Sequence, residues 1–404
     1  MRLEIRNFRA IQEQHVDLAP LTVVYGANGA GKSSLLYALL TLKNVVLNSN
    51  SAVSGFFNYS FASLGGFDAV VFDHQATSDI ELSLTVESQG LIVRHGVSFG
   101  ETKGIFKLSL RGQDEVGPLN LNVENPITFP YPGNQQIPVS MLYDEQNLAL
   151  NWNGITAQVQ AAQPSGTPKA LELANRVAAI VNSPAEVLRK VSMVPLKRGF
   201  SKPFYQSQPL TPALITEEEV ATFLSTDKYL VSKISFYLEK ILERDFRVNV
   251  QPGTAIFSLD ATDKKTGVAT ELVNEGFGVN QLVYFLAKAL HKDAQWTGVE
   301  EPEIHLHPSA VRRFARALGE MVVNEKKRFL LSTHSEAFVT ALLSLVAEGK
   351  VEAKQLAFYL VRKEGKKATF ERQTVHDNGQ IEGGLTTFME GELEDLKSFL
   401  KVSG

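Results

Sequence analysis

The stretch Gly26-Ala27-Asn28-Gly29-Ala30-Gly31-Lys32-Ser33 constrains this chain more than any other part of it. It has the spacing G-x-x-x-x-G-K-[ST], and its flanks give that spacing a meaning. Leu21-Thr-Val-Val-Tyr25 before it reads as a buried strand, and Ser34-Leu-Leu-Tyr-Ala-Leu-Leu40 after it reads as a helix. A glycine-rich loop between strand and helix aims backbone N–H groups and a helix N-terminus at one point, where they can cradle phosphates. Lys32 is then placed to reach the β- and γ-phosphates, and the Ser33 hydroxyl to hold Mg²⁺, with Ser34 beside it. The expectation is a bound nucleoside triphosphate with Mg²⁺.

Composition narrows the alternatives. With 404 residues and 44% hydrophobic content, the chain can bury a full core in two or three domains. A net charge of −4 gives no global basic field, so contact with nucleic acid would need a local patch. The absence of cysteine excludes disulfides, thiolate zinc sites and cysteine nucleophiles together. No apolar run approaches a membrane span, and Met1-Arg-Leu-Glu-Ile5 reads as a charged strand rather than a signal peptide. A cytoplasmic protein without a membrane partner is expected.

Along the chain, residues 1–25 read as two strands joined by a polar turn. Asp79–Glu87 and Phe106–Leu110 alternate as half-buried antiparallel strands. Pro118, Pro126, Pro130, Pro132 and Pro138 then argue for loops or edge strands. Helices are expected at Lys169–Val181, after the capping box Thr216-Glu-Glu-Glu219, and over Lys228–Leu242. The expected division is an N-terminal half of an ATPase head at 1–115, an α+β insertion at 116–245, a second head half at 246–380 and a tail at 381–404. In the second half, strand Ala255–Leu259 is followed by helix Gln281–His291, helix Ser309–Asn324, strand Phe329–Ser332 and helix Glu336–Ala347. The tail Gly391–Lys401 reads as a short acidic helix. The insertion has neither sustained heptads nor Cys-x-x-Cys, so it predicts no long coiled-coil arm.

Three further motifs carry chemistry. Val299-Glu-Glu-Pro-Glu-Ile-His-Leu-His-Pro308 places two adjacent carboxylates at a strand end. Glu300 is positioned to hold Mg²⁺ and Glu301 to polarise the attacking water as general base. Asn274-Glu-Gly-Phe-Gly-Val-Asn280 brings Gly276, Phe277, Gly278 and Asn280 to a helix start. Such a start can bind an anion or be an ordinary glycine-containing loop. Phe329-Leu-Leu-Ser-Thr-His334-Ser335 is a buried strand with a polar tip, where His334 either bonds a γ-phosphate oxygen or is structural.

Taken in this order, the motifs resemble the ATP-binding-cassette type of ATPase, in the branch shared with the OLD family and with ATPases of phage-defence and toxin–antitoxin loci. The resemblance rests on Leu3-Glu-Ile-Arg-Asn-Phe-Arg9, Gly26–Ser33, Glu275–Gln281, Glu300–Pro308 and Ser332–Ser335. It implies an α/β P-loop NTPase fold: a head with a mixed core sheet and an antiparallel β subdomain. It also implies a homodimer or higher even oligomer in which Gly276–Asn280 meet the ATP held by the opposite subunit. His334 would be the switch histidine, and Arg9 would stand near the nucleotide. His305–Pro308 would cross the dimer interface, which is favoured over a metal role for His305 and His307. The aliphatic strand and magnesium-side Asp usual in the family are replaced here by Trp296-Thr-Gly-Val299 and Glu300, and Gln75 is the candidate for the glutamine loop.

OLD-type proteins often carry a TOPRIM nuclease built on Glu and Asp-x-Asp, and no Asp-x-Asp occurs in these 404 residues. The expected function is therefore an ATP-driven switch acting with a separate effector, a nuclease or toxin. The alternative is a RecF- or SMC-like DNA-maintenance ATPase. For that role Lys197-Arg198 with Lys202, Lys326-Lys-Arg328, and Arg362-Lys363 with Lys366-Lys367 are either DNA contacts or solvated surface charge.

Overall fold

The computed structural model describes residues 1–211, 216–382 and 385. They form two compact units that interleave along the chain. Unit 1 comprises Met1–Leu18, Ser33–Val191 and Lys363–Phe370; unit 2 comprises Ala19–Lys32, Ser192–Arg362 and the chain from Glu371.

In chain order the strands are β1 (Arg2–Phe8), β2 (Ile11–Asp17), β3 (Leu21–Gly26), β4 (Asn58–Tyr59), β5 (Ala62–Ser63), β6 (Ile80–Ser88) and β7 (Leu91–Phe99). Next come β8 (Lys103–Gln113), β9 (Pro118–Thr128), β10 (Ile137–Tyr143), β11 (Gln146–Trp152), β12 (Ala157–Val159), β13 (Val191–Val194) and β14 (Tyr205–Gln206). The last are β15 (Arg244–Val250), β16 (Ile256–Asp263), β17 (Ala269–Glu271), β18 (Trp296–Glu300), β19 (Arg328–Thr333), β20 (Leu356–Glu364) and β21 (Lys367–Gln373). The helices are α1 (Lys32–Leu47), α2 (Phe67–Val70), α3 (Pro168–Arg189), α4 (Glu217–Thr226), α5 (Lys228–Leu242), α6 (Phe277–Leu290), α7 (Pro308–Asn324) and α8 (Glu336–Ala347).

Unit 1 is built on an antiparallel sheet of order β2-β1-β6-β7-β8-β9. Alternation sets its faces: Ile80, Leu82 and Leu84 of β6 are buried. Phe56, Phe99, Phe106 and Phe129 meet edge to face in its core. The proline-rich stretch supplies β9, which pairs with β8 from Gln113↔Pro118 to Lys103↔Thr128. As the sheet's last strand β9 can carry Pro118 and Pro126, because one of its sides needs no ladder donors. Thr167 caps α3 by accepting from the Ala170 N–H at 3.0 Å, and α3 packs on β6, β7, β11 and β12.

Unit 2 is built on a second sheet, in which β18, β19, β3 and β20 run parallel. Every residue of β3 is buried, as a central parallel strand covered on both faces requires. Helices α5, α6, α7 and α8 share one core with these strands, centred on Phe285, Phe314, Phe329 and Phe338. A smaller antiparallel sheet joins β14, β16, β15 and β17. The capping box at Thr216 and Glu219 opens α4 as its sequence predicts.

The α/β class, with a mixed core sheet and an antiparallel β subdomain, is therefore present. The boundaries expected at 116 and 245 do not coincide with the compact units. Strand β9 continues the sheet of unit 1 across residue 116, while residues 192–245 build unit 2 together with 246–362. The tail helix expected at Gly391–Lys401 lies outside the described residues.

Candidate functional site

Three parallel strands of unit 2 end together. The register pairs Thr333 of β19 with Tyr25 of β3, and Glu300 of β18 with Ser332 of β19. The carboxyl ends of parallel strands are where open α/β sheets collect ligands. The glycine-rich loop leaves β3 here, with φ of 145° at Gly26, 73° at Gly29 and 103° at Gly31. At Gly26 a Cβ would lie 2.5 Å from the Val361 carbonyl oxygen of β20, so a side chain has no room where the loop departs from the sheet.

Lys32 is buried and donates to the carbonyls of Gly26 at 3.0 Å and Ala27 at 2.9 Å. Burial pushes its pKa down to about 8, against the opposing pull of Glu301 and Glu303. Helix α1 starts at Lys32, so Ser33 and Ser34 lie in its first turn. His334 follows β19 and stands between Lys32 and Glu301. Its Nδ1 is 3.4 Å from Lys32 Nζ, and its Nε2 is 3.4 Å from Glu301 Oε1. Burial first, and the Lys32 ammonium second, hold its pKa below the ordinary histidine value, so the ring is neutral at pH 7. One tautomer satisfies both neighbours: Nδ1 accepts from the ammonium and Nε2–H donates to the carboxylate.

The acidic strand end is held in an unusual backbone shape. Glu301 has φ 42°, and its N–H donates to Ser332 O at 2.8 Å. A non-glycine residue there costs roughly 1–3 kcal/mol, which surrounding contacts must hold in place. One such contact is Arg198, which sequence reasoning grouped with a basic surface cluster. It is half-buried and turned inward instead: Nη1 donates to Pro195 O at 3.2 Å and Glu300 O at 2.9 Å, and Nη2 to Glu301 O at 2.9 Å. Burial lowers its pKa to about 10.

Glu303 was given no role from the sequence, although it is the third glutamate of Glu300-Glu-Pro-Glu303. Its Oε1 accepts from the Thr333 hydroxyl and from the His334 N–H, the latter at 3.3 Å. Its Oε2 is buried with no partner among the described residues, and burial raises its pKa. The signal that could have found it is its place in the motif, two residues after the candidate base.

The glycine segment starts α6 at Phe277, four residues before the expected Gln281, with Gly276 as N-cap. Phe277 is 72% exposed, and its ring centroid lies 5.5 Å from that of His305. A Cβ on Gly278 would stand 2.8 Å from the His305 carbonyl oxygen. Asn280 differs from expectation: its side chain is buried and turned inward, with every bond made inside the chain, so it offers nothing to a nucleotide. His307 caps α7 by accepting from the Ser309 N–H at 3.3 Å, and no group of three His, Asp or Glu able to hold a metal occurs among the described residues.

Arg9 and Gln75 belong to unit 1. The Arg9 guanidinium lies 5.0 Å from the Tyr37 ring centroid, and its Nη1 is buried without a hydrogen-bond partner. Gln75 is exposed after a short turn. The basic clusters are largely consumed by the fold. Lys202 pairs with Glu218 at 2.6 Å, and Phe200 and Tyr205 are core. Lys327 is buried on the carbonyls of His291 and Ala294, while Arg328 lies over Trp296 and Arg362 pairs with Glu371.

Residues 21–340 match the family described as "AAA domain, putative AbiEii toxin, Type IV TA system". The chain belongs to this AAA-domain family. Its sequence is also similar to that of an OLD nuclease. The OLD nuclease of Thermus scotoductus is 24% identical over 361 residues, covering 83% of this chain and 59% of that protein. The chain thus spans about three-fifths of that relative's length. Similar solved structures include the SMC head domain from Thermotoga maritima, with TM-score 0.42, 10% identity, and 92% of this chain and 97% of that one covered. Another is an Smc head domain with an extended coiled coil bound to the C-terminal domain of ScpA from Pyrococcus furiosus, with TM-score 0.43, 11% identity and 98% of each chain covered. No helix of the described residues is long and apolar enough to cross a membrane.

The donor set suits ATP with Mg²⁺. Glu300 would supply a hard oxygen ligand, Lys32 an ammonium, and the loop glycines backbone N–H groups.

Proposed function

We propose that the chain binds ATP·Mg²⁺ on Gly26–Ser34 and hydrolyses it, with Glu301 as general base. The observation that carries this reading is the line Lys32–His334–Glu301 at the ends of β3, β19 and β18. It sets a cation for the terminal phosphates, a neutral histidine and a carboxylate side by side. Mg²⁺, held by Ser33 and Glu300, supplies charge neutralisation at the phosphates when bound. Glu301 accepts a proton from the attacking water, and the His334 Nε2–H holds that carboxylate's orientation. The backbone shape at Glu301, fixed by Ser332 and Arg198, keeps the carboxylate at the strand end.

The functional unit is a homodimer or higher even oligomer. Gly276, Phe277 and Gly278 of one subunit complete the nucleotide site on the other, a reading supported by the exposed Phe277 at the start of α6. ATP binding closes the dimer, and hydrolysis reopens it. The family's toxin–antitoxin description and the OLD nuclease relative support a cytoplasmic switch that drives a nuclease or toxin effector. The test is turnover and oligomeric mass for wild type and Glu301→Gln. Wild type should hydrolyse ATP, whereas Glu301→Gln should lose about 10²–10⁴ of the rate and accumulate as an ATP-bound dimer. A Glu301→Gln protein that turns over normally would remove the proposed base.

A further inference from the structure

The loop that carries Arg198 also receives α6, and the contacts run in one line within unit 2. Asn280, in the first turns of α6, donates to the Phe200 carbonyl at 2.8 Å and accepts from the Phe200 N–H at 2.6 Å. Its second amide hydrogen goes to Leu272 O at 2.9 Å. The amide therefore grips the Phe200 backbone on both sides, as a neighbouring strand would. Gly199 comes next, with φ 125°, and a Cβ there would stand 2.8 Å from Asn280 Oδ1. Arg198 then spends its guanidinium on the main-chain carbonyls of Glu300 and Glu301.

A half-buried arginine whose bonds go to carbonyls, with a buried Nε that has no partner among the described residues, is an expensive way to stabilise a strand end. It is suited to fixing orientation, because two donors in a rigid plane set two consecutive carbonyls at once. Those carbonyls belong to the candidate magnesium ligand and the candidate base, the second in a left-handed backbone conformation.

We propose that Arg198 is a positioning residue that couples the first turns of α6 to the hydrolytic carboxylates. Through Gly199 and Asn280 it makes the backbone at Glu300 and Glu301 follow the helix that starts at Gly276–Gly278. Docking of a nucleotide phosphate from a second subunit on that helix start then sets the base in the docking subunit's own site. The two sites of a dimer are thereby linked through one short loop. This inference rests on the ATPase reading above.

Its test has two readouts on the full chain, one independent of turnover. The first is hydrogen–deuterium exchange of residues 299–303 in Asn280→Ala and Gly199→Ala. Neither residue hydrogen-bonds to that segment among the described residues, and exchange there should rise severalfold if the loop transmits order. Unchanged exchange at 299–303 overturns the proposal, whether or not ATP is hydrolysed and whatever happens to the melting temperature. The second is kcat and KM for MgATP in Arg198→Lys, Asn280→Ala and their double variant. Arg198→Lys keeps the charge but cannot hold both carbonyls, so kcat should fall about tenfold or more with KM within threefold. The double variant should be no worse than the weaker single, as expected for members of one chain of contacts. A kcat loss equal to the product of the singles, or a rise in KM matching the fall in kcat, overturns it. Failure of wild type to hydrolyse ATP would sink the functional reading instead, leaving the exchange result to judge the coupling.

Discussion

On the proposed reading, Lys32 should make nucleotide affinity pH-dependent in a range where the nucleotide itself hardly titrates. Without ligand, burial holds its pKa at about 8. A bound polyphosphate favours the charged form, returning the pKa to the ordinary value of about 10.5 or beyond. Binding above pH 8 must therefore take up a proton. At pH 7 about nine-tenths of the free protein already carries that charge, and at pH 9 about one-tenth does. Affinity for MgATP should fall about tenfold between those pH values, equivalent to about 1.4 kcal/mol. Titration calorimetry in buffers of different ionisation enthalpy reads both quantities, the second as about half a proton taken up at pH 8. Lys32→Arg keeps a charge that does not titrate in this range, so its affinity should be weaker but flat with pH. An affinity for wild type that is level or rises from pH 7 to pH 9 would refute the placing of Lys32 against the phosphates.

Other outcomes follow from single contacts. Glu303→Gln keeps an acceptor for the Thr333 hydroxyl and removes a charge that burial disfavours. Because the folded-state pKa is raised, the wild type should lose stability relative to Glu303→Gln as pH rises from 4.5 through that value, seen as a widening gap in Tm between pH 5 and pH 8. Gly26→Ala drives a Cβ against the Val361 carbonyl at 2.5 Å in a backbone shape with φ 145°. A carbonyl in a central sheet cannot yield, so urea unfolding should show a loss of about 2–5 kcal/mol together with lost nucleotide binding. Phe277→Asp alters a side chain that is 72% exposed, so stability should move by no more than about 0.5 kcal/mol while sedimentation shows the ATP-dependent dimer lost.

The phosphate loop was legible because its chemistry is local: strand, glycines, lysine and helix lie within one short run. The acidic strand end and His334 were legible for the same reason, since each sits at the tip of a buried apolar strand. The start of α6 was placed four residues late because Gly276-Phe-Gly-Val279 has weak helix propensity. The close approach of Gly278 to the His305 carbonyl favours that turn, and no local rule shows it. Arg198 was misgrouped because Lys197-Arg198 beside Phe200 and Tyr205 has the composition of a nucleic-acid surface. Its burial depends on Glu300 and Glu301, about a hundred residues away. Asn280 was hidden likewise, since its amide is committed to Phe200, 80 residues earlier. The proline-rich stretch read as loops or edge strands, and neither the choice between them nor the partner of β9 was legible. The alternation of β9 does not reveal that it extends the sheet of unit 1 rather than opening a separate insertion.

The central claim is that the site on Gly26–Ser34 is completed by Gly276–Gly278 of a second subunit, and subunit mixing tests it most directly. Lys32→Ala disables the loop while leaving the helix start intact. Gly276→Asp does the reverse, at a position where a Cβ meets nothing within 4 Å and the fold has no reason to change. Each variant alone should be inactive as an ATPase, and mixing them should restore turnover through the one composite site that joins the sound loop to the sound helix start, at about a tenth of the wild-type rate or less because the base of that site receives no phosphate on its own subunit's helix start. No restoration on mixing, or full activity of Gly276→Asp alone, would contradict the account.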